Sequence, residues 1–210
     1  MQAQPSDEPS SAQSAKAALR TRNLRTVLGL GALFVLPVAA SFWLYYGVGW
    51  SPAAHMNHGE LIEPVRELPP VRLPDAERGV TVAKVFSRRW TLVYIGPGSC
   101  DEACRHSLFA MRQTRLALNS DMDRVQRVFL ASSDCCERAY LERAYPGLIV
   151  LDASGSAALP LLAQFPSENL ASTIFVVDPL GNLMMRYDLR RDPKGLLQDL
   201  RRLLELSHIG

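Results

Sequence analysis

Several things are scarce in this chain of 210 residues, and each scarcity excludes something. Net charge is almost absent. With 23 Lys and Arg against 21 Asp and Glu the balance is +2, and the basic residues are interspersed with acids rather than clustered. That argues against a nucleic-acid binder and against a strongly acidic partner. Internal repeats are lacking, which excludes a solenoid or propeller. Cysteine is sparse too: four residues are too few for a disulfide scaffold of this length, yet they fall in two close pairs, Cys100/Cys104 and Cys135/Cys136. Finally, charge is missing altogether from Val27 to Trp50.

That last absence reads as a membrane anchor. The run is long enough to cross a bilayer as a helix, and Phe42, Trp43, Tyr45, Tyr46 and Trp50 gather at its far end as an aromatic belt. Lys16, Arg20, Arg22 and Arg25 precede it, so the positive-inside rule puts the N-terminus in the cytoplasm and the rest of the chain outside it. Val38-Ala39-Ala40 imitates a signal-peptide cleavage site, but apolar residues continue beyond it, which favours an uncleaved anchor at 27–50. Residues 1–26, rich in Ser, Ala and Gln at their start, read as a disordered cytoplasmic tail. Residues 51–74 carry Pro52, Pro64, Pro69, Pro70 and Pro74 and read as an extended tether. Within it, His55-Met56-Asn57-His58 reads as solvated polar residues rather than a copper site.

The domain proper, 75–210, is organised around Thr91 to His106. Leu92, Val93, Tyr94 and Ile95 read as a buried strand, broken by Gly96, Pro97 and Gly98. Cys100 and Cys104 follow at CxxxC spacing, at the start of a helix on which Leu108, Met111 and Leu118 fall within about 40° of Cys104. A helix N-terminus stabilises thiolate, so the stretch suits thiol chemistry or a soft metal. Val80 to Phe86 alternates as an earlier strand. Arg124 to Ala131 reads as a later one, ending at Ser132-Ser133-Asp134-Cys135-Cys136. A short helix from Glu137 to Ala144 and an apolar run from Leu148 to Leu151 come next. Ser172 to Val177 and Leu183 to Tyr187 flank a turn at Asp178 to Asn182, a β-hairpin signal. Leu196, Leu197, Leu200, Leu203 and Leu204 mark a final amphipathic helix.

This order is an α/β layout with a βαβ unit at its centre. Right-handed crossover makes the strand before Cys100 and the strand before Cys135 parallel neighbours, so both cysteine pairs lie at one edge of the sheet.

These residues resemble the Sco/SenC family. The likeness lies in the membrane anchor, Trp90 to Gly96, the CxxxC pair and the hairpin Ile174-Phe175-Val176-Val177-Asp178-Pro179-Leu180-Gly181, across 75–206. The resemblance implies a thioredoxin-like fold, a central mixed sheet with flanking helices. It further implies a role in assembling the copper centre of cytochrome c oxidase, with Cys100 and Cys104 as the redox and copper-binding pair. The partner would be an oxidase subunit or another assembly factor. Arg105 stands where that family has a proline, and Leu170 occupies the slot of its third ligand, a histidine. No histidine lies between His106 and His208. His106 and the Cys135/Cys136 pair are then the further candidates for copper. His58-Gly59-Glu60-Leu61 is similar to small thioredoxin-domain membrane proteins associated with bacterial oxidase assembly.

Three functions follow as expectations. The first is an oxidase assembly factor in the bacterial inner membrane, with its domain in the periplasm, acting by thiol–disulfide exchange, Cu(I) handling, or both. The second is a general thiol–disulfide oxidoreductase, the one reading that makes the chain an enzyme. The third is a non-catalytic, membrane-tethered binding module with structural disulfides. Peroxidase chemistry is disfavoured, since nothing marks a lone peroxidatic cysteine. In exchange, Cys135/Cys136 would serve as a second redox pair, because a bridge between adjacent cysteines closes a very small ring and reduces readily.

The topology is directly testable. A reporter active only outside the cytoplasm, fused after Gly210, is expected to be active; silence of that fusion with the protein present would overturn the orientation.

Overall fold

The computed structural model describes residues 10–47, 57–74, 85–133, 135–207 and 209, in two units, 1–55 and 56–210. The first is one helix, α1, Ser10–Phe42, continued by a π-helical turn, Trp43–Gly47. Its apolar part, Arg25–Gly47, has a mean hydropathy of 2.1 over its most apolar window and is long and apolar enough to cross a membrane. At 1.5 Å per residue, 23 residues reach roughly 35 Å, against a hydrocarbon core of about 30 Å. This candidate span starts at Arg25, two residues before the uncharged run, and Trp50 lies outside the described residues. The disordered tail is corrected for residues 10–26, which are helical. Ala, Gln, Lys, Leu and Arg dominate this stretch, all strong helix formers, and a helix already nucleated by an apolar run propagates into them readily.

The second unit is an α/β domain on a six-stranded mixed sheet of order β1-β6-β5-β2-β3-β4. Its strands are β1 (Glu60–Glu67), β2 (Trp90–Gly96), β3 (Val125–Ala131), β4 (Leu148–Asp152), β5 (Thr173–Val177) and β6 (Asn182–Asp188). The helices are α2 (Glu102–Leu116), α3 (Arg138–Ala144), the single turn α4 (Leu159–Leu162) and α5 (Gly195–Leu206). β2 is central and buried along its whole length, as a strand of Trp, Leu, Val, Tyr and Ile must be. It pairs in parallel with β3 through seven residue pairs from Trp90↔Val125 to Gly96↔Ala131, and antiparallel with β5. The expected βαβ unit and hairpin are therefore both present. α4 was not visible in the sequence pattern.

Side chains alternate across β2. Leu92 and Tyr94 join a cluster with Leu108 and Met111 of α2, Leu141 of α3, and Leu196, Leu200 and Leu204 of α5. Val93 and Ile95 join the other cluster, with Leu161 and Phe165. Three helices thus cover one face and a thinner layer the other.

The tether is corrected. Residues 60–67 form β1, which pairs antiparallel with β6 at the sheet edge, and Leu68 and Leu73 are buried against the second cluster. The prolines hid this strand. Pro64 has no N–H to donate, but the ladder shifts register between Leu61 and Arg66, and an edge strand tolerates that gap. The strand expected over Val80 to Phe86 lies mostly outside the described residues; Val85 and Phe86 form a turn, with Phe86 buried.

One buried carboxylate fastens β1 to the domain. Asp199 of α5 is 5% exposed, and its Oδ2 accepts hydrogen bonds from the His58 N–H (2.7 Å), the Gly59 N–H (2.9 Å) and the Tyr187 hydroxyl (2.9 Å). Burial, and then the Asp199 carboxylate, push the Tyr187 pKa far up, so its hydroxyl stays a donor. Gly59 is obligatory here, because a Cβ would lie 2.4 Å from the Tyr187 ring. Asp199→Ala leaves three donors unpaired and is expected to destabilise the domain by about 3 kcal/mol, read as a lowered denaturant midpoint.

Candidate functional site

The site is assembled where β2 ends. Gly96 is needed because a Cβ would meet the Tyr94 ring at 2.8 Å. The chain then turns through Pro97 and Gly98, and the Cys100 N–H donates to the Pro97 carbonyl at 3.0 Å. Cys100 has φ 45°, in the left-handed region that non-glycine residues seldom occupy, a strain of order 1 kcal/mol. Asp101 caps α2, its Oδ1 accepting from the Cys104 N–H at 2.9 Å. A disulfide joins Cys100 and Cys104, with Cα atoms 5.0 Å apart, and both residues are 0% exposed.

The second pair stands beside the first. The Gly98 N–H donates to the Ser133 carbonyl (2.7 Å), and the Ser132 N–H donates to the Gly96 carbonyl (2.8 Å). These bonds tie the loop carrying Cys135 and Cys136 to the loop carrying Cys100. Cys135 and Cys136 are joined to each other, and both lie against the buried cluster that contains Cys100 and Cys104. They are only partly buried.

Several residues that sequence reasoning passed over hold this arrangement. The Tyr94 hydroxyl (3.4 Å) and the Ser107 hydroxyl (3.3 Å) both donate to the Ala171 carbonyl, fastening β2 and α2 to the segment before β5. Arg105 donates to the Cys100 carbonyl at 3.2 Å, and the Tyr145 hydroxyl donates to the Arg105 carbonyl at 3.0 Å. Burial, and next the Asp101 carboxylate, push the Tyr94 pKa up to about 12. Burial and Tyr140 push that of Tyr145 up to about 12. Both phenols therefore stay protonated near neutral pH and serve as donors, not as bases for the thiols. Only Asp101 left a signal in the sequence, as an Asx residue immediately before a helix.

Two expected metal candidates do not converge on the cysteines. His106 is exposed, two positions along α2 from buried Cys104 and so about 200° round the helix. Leu170, in the slot expected for a histidine, packs against the second cluster, whereas both cysteines belong to the first. His55 and Met56 lie outside the described residues. His58 is engaged with Asp192, its Nδ1 3.0 Å from Oδ2, at a cavity of about 300 Å³ also lined by Glu60, Glu168, Arg186 and Asp188. Among the described residues no three His, Cys, Asp or Glu side chains are grouped to hold a metal ion. Among the described residues the donor set therefore does not fit a Cys–Cys–His copper centre. Once reduced, it offers two sulfurs.

Asp101 sets an electrostatic balance at this pair. The amide ends of α2 favour a thiolate, and the capping carboxylate opposes it. Asp101→Asn keeps an acceptor for the Cys104 N–H but removes the charge. It is expected to make the Cys100–Cys104 potential less negative by about 10–30 mV in a glutathione redox buffer. Asp101→Ala should in addition lose about 1 kcal/mol of stability with the cap.

Comparison with known proteins places this geometry. The profile of a family described as the transmembrane-like, thioredoxin-like, C-terminal domain matches residues 90–207. No curated protein matches the sequence. Among solved structures, apo Sco1 of Thermus thermophilus aligns with a TM-score of 0.57 at 21% identity, over 72% of this chain and 99% of that one. Copper-bound ScoI of Bradyrhizobium japonicum gives 0.53 at 21% identity, over 65% and 99%. Copper-bound yeast Sco1 gives 0.57 at 16% identity, over 68% and 95%. The domain thus has a thioredoxin-like fold similar to that of these Sco structures.

Proposed function

The chain belongs to the transmembrane-like, thioredoxin-like C-terminal domain family, and from that premise we propose that it is a membrane-anchored thiol–disulfide exchange factor serving cytochrome c oxidase assembly. One observation carries the reading. A CxxxC disulfide sits between the end of central β2 and the first turn of α2, with Cys100 held in a left-handed conformation. The oxidase is drawn from the resemblance to Sco/SenC proteins, and the copper-bound neighbours support it. The span Arg25–Gly47, with its basic N-terminal flank, supports placing the domain on the periplasmic side of the inner membrane, where a disulfide persists.

In this reading the Cys100/Cys104 dithiol reduces the disulfide of a partner's copper-binding cysteines. A thiolate of this chain displaces one sulfur of the partner bond, and a second thiol of this chain resolves the mixed disulfide. The partner leaves as a dithiol and Cys100–Cys104 is left oxidised. Two electrons and two protons pass to the partner. Copper enters only as cargo. Cu(I) accepts two-thiolate coordination, so the reduced pair is expected to bind it more weakly than a three-ligand site does.

Complete burial of both sulfurs favours the competing reading, a structural bridge. One experiment separates the two. The reduced full chain in detergent is mixed with an oxidised peptide carrying the two copper-site cysteines of an oxidase subunit. Peptide dithiol should form together with a Cys100–Cys104 disulfide mapped by mass spectrometry. A peptide that stays oxidised while Cys100 and Cys104 stay reduced would show the bridge to be structural. Cu(I) titration of the same reduced chain should show binding that Cys100→Ser abolishes.

A further inference from the structure

The disulfide between the end of β2 and the first turn of α2 has no surface. Cys100 and Cys104 are both 0% exposed. Exchange requires an attacking sulfur to reach a disulfide sulfur, so a folded protein partner is shut out while the loop keeps this conformation. Cys135 and Cys136 differ in the property that matters. They are partly open to solvent, yet they lie against the cluster of buried side chains that contains Cys100 and Cys104. The parallel register sets Gly96 beside Ala131, and the two loops leaving these residues are hydrogen-bonded through Gly98–Ser133 and Ser132–Gly96. The chain has no free cysteine, so the vicinal pair holds the only other sulfurs available for exchange.

We propose that Cys135–Cys136 is a second redox centre, a surface shuttle through which electrons enter and leave the buried Cys100–Cys104 pair. This rests on the exchange reading above and deepens it by naming the route. In the inward direction the reductant is a protein dithiol of the CxxC class. Its thiolate attacks the Cys135–Cys136 bond, its second thiol resolves the mixed disulfide, and it leaves oxidised while Cys135 and Cys136 become thiols. One of these loses its proton and attacks Cys104 or Cys100. The buried bond breaks, a cross-pair disulfide forms, and the displaced sulfur takes up a proton. The remaining vicinal thiol, deprotonated in turn, then attacks its neighbour in that cross-pair bond. Cys135–Cys136 re-forms, and the second buried sulfur leaves as a thiolate and is protonated. Two electrons and two protons have moved from the external dithiol to Cys100/Cys104, and the shuttle is unchanged. Run backwards, the same steps deliver them to a partner disulfide.

The test uses the oxidised full chain in detergent, with a reduced thioredoxin-like CxxC protein as donor. Cys100–Cys104 reduction is followed by acid quenching, alkylation and mass mapping. Cys135→Ser/Cys136→Ser is expected to slow this reduction at least about tenfold, while a small phosphine reduces Cys100–Cys104 fully in both proteins. Equal rates with the protein donor would overturn the shuttle and leave exchange at Cys100–Cys104 intact. No reduction by the donor in the unsubstituted chain would overturn both. A second measurement needs no variant. Partial reduction of the unsubstituted chain should trap cross-pair linkages such as Cys104 to Cys135, and within-pair linkages alone under every condition would overturn the shuttle.

Discussion

The pairing of β2 with β3 is the constraint on which the rest of this domain depends. Seven parallel residue pairs, buried on both faces, allow no slip, since a shift of one residue would turn Leu92 and Tyr94 away from α2 and drive Val93 and Ile95 into it. The register ends with Gly96 beside Ala131, so the two chains leave the sheet at the same level. Everything proposed for the cysteines follows from that coincidence. Hydrogen bonds between the departing loops extend the ladder by two more contacts, and the sulfurs sit on the loops so joined.

Around this axis, polar contacts do what apolar packing leaves undone. The Ala171 carbonyl gathers Tyr94 and Ser107, the Asp199 carboxylate gathers His58, Gly59 and Tyr187, and Asp101 caps the helix that presents Cys104. In the first two cases an oxygen that would be costly to bury alone is satisfied by donors from distant segments, and in the third the donor is local. A buried polar group so shared ties pieces of chain that the hydrophobic clusters alone would leave free to slide. The site is in this sense braced from three directions: β3, the segment before β5, and the α3 end through Tyr145 and Arg105.

Bracing and reactivity pull against each other here. A pair of sulfurs without exposed surface is protected from adventitious thiols. The same burial demands a route in. In the proposed shuttle, a vicinal pair that is partly exposed, anchored to the same cluster and carried on the neighbouring loop supplies that route without requiring the core to open. Cys100 and Cys104 belong to one cluster and Leu170 packs against the other, so the residue in the slot expected for a third ligand does not face the two sulfurs.

The sequence by itself determined the elements whose signal is local. An uncharged run defines a helix long and apolar enough to cross a membrane, a β-branched stretch broken by Gly-Pro-Gly defines β2, and leucines at helical spacing define α5, of which Leu196, Leu200 and Leu204 are buried as the period demands. Chirality of the crossover then puts both cysteine loops at one sheet edge from topology alone. Other features depended on partners far away in the chain. β1 was illegible because its prolines read as a tether, and only pairing with β6 makes Glu60–Glu67 a strand. The helical state of residues 10–26 was hidden by a polar composition that resembles disorder unless an adjoining apolar helix nucleates it. Burial of Cys100 and Cys104, the exposed direction of His106 and the face on which Leu170 packs were equally undetermined. Sequence spacing fixes which residues are neighbours on one element, whereas burial depends on what a second element lays over them, and tertiary packing alone supplies that.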